Sequence, residues 1–296
     1  SYYGKPSITE GGYLTSGLGY VLSWLGIVNA EYDSYDELGK ISPVIFADNS
    51  YHITDAIRVN NKDKNAVKEA LIKYGGLTIH VNGADPNTPF YNPKTAALYC
   101  NDSSLGNHFV TLVGWNDTYS ASNFKINPGV DGAWICKNSW GSDWGDGGYF
   151  YLSYADAPFN GARAIGYIIN NTDVYNKVYQ YDIPSYDGFL RYSSVDHLSY
   201  VNSYISSGND LIAAVGTYFD NDKTEYTINI YVNGNIVYSQ NGKSLYTGFH
   251  TIKLDKTIAV NKVDRISAEF EVNTNIVPYV GDSRLYFEKG NSIVNT

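Results

Sequence analysis

The sequence predicts an α+β chain in two parts. Residues 1–171 form a domain that mixes helices with a β-rich half, and residues 172–296 form an all-β antiparallel sandwich. Three observations carry this reading. All five tryptophans (Trp24, Trp115, Trp134, Trp140, Trp144) lie in the first part. Helical and strand periodicities alternate there, whereas beyond Asn170-Asn171-Thr172-Asp173 the chain is a series of short strands rich in Tyr, Asn and Ser, with no helical stretch. And 296 residues exceed the usual size of one domain.

Taken in order, Glu10-Gly11-Gly12-Tyr13 opens a helix whose apolar residues Leu14, Leu18, Val21, Leu22 and Leu25 fall at helical spacing. Asp63 to Tyr74 reads as a second helix, with Asp63 as its cap, Val67, Leu71 and Ile72 on the buried face, Lys73 in the last turn and Gly75 after the end. Leu77-Thr78-Ile79-His80-Val81 is a strand, in which His80 alternates with apolar neighbours and reads as structural. Phe90-Tyr91-Asn92 leads toward a further apolar strand at 108–115. Residues 116–130 read as a polar surface insertion before the strand that starts near Trp134.

In the second part, Thr227 to Val232 alternates Ile228, Ile230 and Val232; Asn233-Gly234 supplies the left-handed pair of a type I′ turn, and Ile236 and Tyr238 return. Arg265 to Val272 alternates likewise, with Ile266, Ala268, Phe270 and Val272 inward and Arg265, Ser267, Glu269 and Glu271 outward. One face is buried and the other wet, as in a sandwich.

Charge and hydropathy exclude several classes of partner. A net charge of −9 and a pI near 4.9, without a basic stripe, argue against nucleic acid and anionic membranes. No apolar run is long enough to be a transmembrane segment. Two cysteines are too few for a disulfide framework. Acceptor-like sequons at Asn101-Asp102-Ser103, Asn116-Asp117-Thr118 and Asn170-Asn171-Thr172 point toward the cell exterior.

The chemistry lies in two runs: Asn107-His108-Phe109-Val110-Thr111-Leu112-Val113-Gly114-Trp115, and residues 134–150, WICKNSWGSDWGDGGYF. A histidine at the mouth of an apolar strand and an asparagine in a later Asn-Ser-Trp-Gly turn are the base and the orienting group of a hydrolase with a cysteine nucleophile. An imidazolium stabilises an adjacent thiolate, and a neutral amide orients the ring without holding it as strongly as a carboxylate would. Gly141, Gly145, Gly147 and Gly148 suit a tight hairpin in which backbones approach closely.

The pair of runs resembles the papain-like cysteine peptidases. The resemblance implies that His108 is the general acid/base, that Asn138 holds its ring, that Trp140 covers their hydrogen bond and that Trp144 lines the leaving-group side. Gly11 and Gly12 match the strip that presents backbone groups to an extended substrate, a protein or peptide. The fold implied is a papain-like domain with its helical part incomplete and its β-barrel-like part complete. No cofactor or catalytic metal belongs to this chemistry.

In that family the nucleophilic cysteine stands roughly 130 residues or more before the histidine, at the start of a helix. Counting back from His108 passes Ser1. Cys100 and Cys136 are the chain's cysteines, and neither lies in such a motif: Cys136 reads as a small buried residue, Cys100 as a loop residue free or bridged. With no methionine in the chain, and a start that reads as mid-domain sequence, a longer precursor bearing the nucleophile is expected. This chain alone is expected to be inactive.

The second part, over residues 172–280, resembles the lectin-like domain that follows papain-like domains in some prokaryotic surface peptidases. That resemblance implies an extracellular or cell-surface location in a prokaryote, and a surface glycan or wall component as a further candidate partner. Some such domains hold a structural calcium ion. Here Asp220-Asn221-Asp222 offers an oxygen-rich loop without the spacing of six or more ligands, so it reads either as a calcium loop or as an Asx turn. Three functions remain open: an exported endopeptidase, an inactive papain-like adhesin or scaffold, and a transferase using the same thioester intermediate.

Overall fold

The computed structural model describes residues 14–24, 27, 51–171, 174–180 and 188–279. Two compact units result, one made of Ala56–Ile168 and the other of the described residues up to Asp55 and from Ile169 onward. The chain passes between them within strands β1 (Tyr51–Asn60) and β8 (Arg163–Asn171).

Helix α1 (Leu14–Leu22) buries Leu18 and Leu22, two of the expected helical-face positions, while Leu25 falls outside the described residues. Helix α2 (Lys64–Tyr74) begins where the Asp63 side chain accepts the N–H groups of Asn65 and Ala66, and ends at Gly75, whose φ of 81° lets its N–H reach the Leu71 carbonyl. Val67, Ala70 and Leu71 are buried, but Ile72, expected on the same face, is 76% exposed. Five residues past Val67 is about 140° around the helix, which carries Ile72 off the stripe that Val67 and Leu71 share.

The strands of this unit are β2 (Leu77–Val81), β3 (Tyr91–Asn92), β4 (Ala97–Leu98), β5 (His108–Asn116), β6 (Ala133–Lys137) and β7 (Tyr149–Ser153), ordered β2-β5-β6-β7-β4-β3. All pairings are antiparallel except that of β4 with β7. Trp134, Tyr91, Phe150, Phe159, Leu112 and Leu152 are among the fully buried side chains. A short helix, α3 (Ala157–Gly161), is capped by the side chain of Asp156. The insertion at 116–130 lies mostly at the surface, but Phe124 is buried against Ala97 and Ala133. It is anchored because the Asn123 carbonyl accepts Asn92 Nδ2 at 2.8 Å and Thr95 Oγ1 at 2.6 Å.

The other unit holds β9 (Gly188–Arg191), β10 (Leu198–Ile205), β11 (Asp210–Phe219), β12 (Glu225–Val232), β13 (Asn235–Lys243), β14 (Gly248–Val260), β15 (Arg265–Val272) and β16 (Ile276–Tyr279). The pair β11/β14 contributes Val215, Phe219, Leu254 and Ile258 to one core, and β12/β15 in the sheet β10-β15-β12-β13 contributes Ile228, Ile230, Phe270 and Val272. This is the expected sandwich. The β12–β13 turn has Asn233 at φ 52° and Gly234 at φ 84°.

The register slips one residue after the turn, so Tyr238 pairs with inward Ile230 and Ile236 pairs with Tyr231. Ile236 therefore lies 57% exposed, on the outer face. Among the described residues, no helix is long and apolar enough to cross a membrane.

Candidate active site

His108 is the first residue of β5 and pairs with Val81 of β2. Along β5, Val110 and Leu112 are buried and Phe109, Thr111 and Val113 are exposed, so the strand end is held by its apolar face and presents the His108 ring at its mouth. Asn138 follows β6 directly. Its backbone N–H donates to the Gly148 carbonyl at 3.0 Å, closing the loop that carries the Asn-Ser-Trp-Gly turn.

Two glycines make that closure possible. Gly145 has φ 63°, and a Cβ there would run into the Tyr149 carbonyl; Gly148 has φ 92°, and a Cβ there would sit 3.1 Å from the Gly141 carbonyl.

Across this loop, Asn138 Oδ1 lies 2.9 Å from His108 Nε2. The same Oδ1 accepts the Ser139 N–H at 2.9 Å. An atom that accepts a backbone N–H is the amide oxygen, so the His108 nitrogen facing it is the donor and Nδ1 is left with its lone pair. Asn138 is buried, and its Nδ2 has no hydrogen-bond partner among the described residues. Trp140 stacks on the His108 ring at 5.2 Å with 27° between planes, and is itself 42% exposed. Trp144 meets Trp140 edge-on at 5.0 Å and stacks on Tyr91 at 5.4 Å, so it buttresses Trp140. Gly11 and Gly12 lie outside the described residues.

Both cysteines are buried, and neither carries a disulfide. Burial pushes the Cys100 thiol up, and nearby Asp156 and Asp102 add to the effect; its Sγ donates to the Asp102 carbonyl at 3.4 Å. Burial raises the Cys136 thiol much further. Both shifts disfavour the thiolate that nucleophilic attack requires. Cys136 pairs with Leu112, four residues along β5 from His108, or about 13 Å at strand spacing.

Two titratable groups near this frame carried no functional assignment from sequence. His80 is held below the usual histidine range, first by burial and further by His108, while a hydrogen bond with the Gly106 backbone opposes the shift. Asp156 is fully buried, and burial pushes its carboxyl up to about 7 although it accepts the backbone N–H groups of Cys100 and Phe159. The sequence signal for Asp156 was a helix cap before Pro158; its burial depends on the Cys100 loop, which is distant in sequence.

Among the described residues, no group of three or more His, Cys, Asp or Glu side chains is placed to hold a metal ion. In the Asp220-Asn221-Asp222 turn the Asn221 carbonyl accepts Thr224 Oγ1 and Ser244 Oγ, so local hydrogen bonds of the turn occupy that oxygen.

Residues 6–169 match the model of the family described as papain family cysteine protease, and residues 178–280 match that of the lectin like domain. Cysteine proteinase 3 of Entamoeba histolytica is 28% identical over 148 residues, which is 49% of this chain and 43% of that protein. Cathepsin K of Gallus gallus is 29% identical over 149 residues, 48% of this chain and 40% of that protein. The chain thus spans about two fifths of the length of these curated relatives.

Among solved structures, the clostridial cysteine protease Cwp84 after propeptide cleavage superposes with a TM-score of 0.79 at 22% identity, over 95% of this chain and 74% of that one. The cysteine protease and lectin-like domains of Cwp84, a surface layer associated protein of Clostridium difficile, superpose with a TM-score of 0.77 at 21% identity, over 98% and 68%. At these identities the likeness is one of fold.

Proposed function

Since the chain belongs to the papain family of cysteine proteases, we propose that it is the His- and Asn-bearing part of a cysteine-type endopeptidase of the cell surface or exterior of a prokaryote. The observation that carries this is the 2.9 Å contact between His108 Nε2 and Asn138 Oδ1, which leaves Nδ1 free to take a thiol proton.

In this reading the nucleophilic cysteine belongs to a segment outside this sequence; the burial of Cys100 and Cys136, which raises both thiols, supports looking for it there. In the reaction, His108 would accept that thiol's proton, the thiolate would attack the peptide carbonyl, and the imidazolium would return the proton to the leaving amine. Asn138 would hold the ring throughout, and Trp140 would shield the His–Asn hydrogen bond from water.

On this reading the domain border lies at 171/172, between a peptidase domain and a sandwich domain that would hold it to a surface glycan or wall component. The surface location is supported by the likeness in fold to a surface layer associated protein. Alkylation of the full-length protein with iodoacetamide is expected to abolish cleavage of a protein substrate, and cleavage that persists after complete alkylation would sink the reading. The second reading, an inactive adhesin or scaffold, is favoured by the unreactive setting of both cysteines present. Ser, Gly or Ala at the upstream nucleophile position would decide for it.

A further inference from the structure

The sandwich is hollow along one side. Among the described residues, β10 ends one sheet and β11 ends the other, so each has a single partner strand. The two follow one another in the chain, and residues of both line a cavity of about 920 Å³ between the sheets. Every lining side chain belongs to the unit that holds the sandwich.

Small residues make the hollow. Ala268 sits on the inner face of β15, between buried Ile266 and Phe270, and pairs with Ile230 on one side and Asn202 on the other. It is only half-buried, although its strand lies inside the sheet. Ala213 and Ala214 stand at the bulge of β11 and also remain half-buried. Packed interiors rarely keep a void of this size, whereas small-molecule sites typically measure about 300–1,000 Å³.

The lining selects the class of ligand. Asn202 shares the inner face with Ala268, where strict alternation would place an apolar residue, and it is exposed. The side-chain amides of Asn202 and Gln180 both line the cavity without a hydrogen-bond partner among the described residues. The only cation in the lining, Lys177, is held by Asp210 at 2.6 Å, so an anion would find no unpaired positive charge. A wholly apolar ligand would leave both amides unsatisfied. Aromatic side chains, among them Tyr204 and Tyr279, complete the wall. Sugars match this mixture: their C–H faces suit aromatic rings, and their hydroxyls both donate to and accept from amides.

We propose that the cavity between β10 and β11 binds a short neutral oligosaccharide, with Asn202 and Gln180 as its hydrogen-bonding side chains. This deepens the reading above, in which the sandwich domain meets a surface glycan, by giving that glycan a place. Binding is measured without any cleavage, so its failure is distinguishable from failure of the peptidase reading.

The 296-residue chain is applied to an array of glucose, galactose, mannose and N-acetylglucosamine oligomers, and the strongest trisaccharide is titrated by calorimetry. One site per chain is expected. Ala268→Leu fills the hollow, so it is expected to weaken binding at least tenfold while keeping or raising the thermal midpoint. Asn202→Ala, at an exposed side chain, is expected to weaken binding at least fivefold with the midpoint unchanged. Asn241→Ala, which pairs with Thr227 on the outer face of the sheet, is expected to bind as the native chain does. No bound oligosaccharide overturns the proposal. Native affinity in either Ala268→Leu or Asn202→Ala, or an equal loss in Asn241→Ala, also overturns it and moves the glycan to another part of the domain. Should Ala268→Leu fail to fold, Asn202→Ala and Asn241→Ala carry the decision.

Discussion

Asn138 Oδ1 accepts from two groups at once, His108 Nε2 and the Ser139 backbone N–H, each at 2.9 Å. The backbone contact orients the amide, and the oriented amide selects the imidazole tautomer. Replacing Asn138 by Ala removes both functions and leaves the ring nitrogen without its acceptor. For the peptidase proposed above, kcat is expected to fall about 10–100-fold with KM little changed, as for other orienting partners. Asn138→Asp should not rescue kcat, because a buried carboxylate binds the imidazolium more strongly. Steady-state kinetics on a peptide substrate checks both.

Trp140 stacks on the His108 ring while remaining 42% exposed itself. Trp140→Ala is expected to lower kcat/KM about tenfold and speed exchange of the His108 Nε2 proton, with stability changing by about 1 kcal/mol or less. Trp140→Phe should retain most of the activity, since an aromatic face remains over the ring.

Cys100 and Cys136 are buried thiols held protonated. The native chain is expected to release no colour with a thiol-reactive disulfide reagent over minutes, and both thiols should react once the chain is unfolded in urea. Rapid labelling of either cysteine in the native state would contradict their structural assignment.

Asp156 makes the Ala56–Ile168 unit sensitive to pH. Its folded pKa of about 7 lies above the ordinary carboxylate value, so the folded state binds the proton more tightly than the unfolded chain. The associated stability is fully present below about pH 4 and is lost as pH rises through 7, by on the order of 4 kcal/mol. Tryptophan fluorescence follows this unit, which holds Trp115, Trp134, Trp140 and Trp144. The thermal midpoint is expected to drop between pH 5 and 8, and Asp156→Asn should flatten that slope.

The sandwich separates two isoleucines that the alternating pattern does not distinguish. Ile230 is fully buried, so Ile230→Ala is expected to cost about 2–5 kcal/mol. Ile236 is 57% exposed, so Ile236→Ala should stay within about 0.5 kcal/mol. Urea unfolding of the two variants tests the slipped register directly.

The runs around His108 and Asn138 were legible in sequence because they combine rare residue types with a glycine pattern that only a tight hairpin needs. The sandwich was legible because Ile228 and Ile230, like Ile266, Phe270 and Val272, alternate strictly, and Asn-Gly has one common use between strands. Ile72 was placed on the wrong face, and alternation alone does not show that Ile236 turns outward, for the same kind of reason. Periodicity assigns a face only while the phase is undisturbed, and a helix stripe has an edge just as a β-bulge shifts register.

The local sequence by itself determined the fold class, the caps of α2, the turn at Asn233-Gly234 and the two residues whose side chains meet at 2.9 Å. Each depends on near neighbours or on a motif whose chemistry requires particular atoms. Only the tertiary structure decided that Asp156 is buried beside Cys100, that Phe124 anchors an otherwise exposed loop, and that the His80 ring packs against Gly106 in the turn before His108. Burial and hydrogen bonding of those groups come from strands and loops that the chain brings together from distant positions, and no pattern within a short window encodes such a meeting.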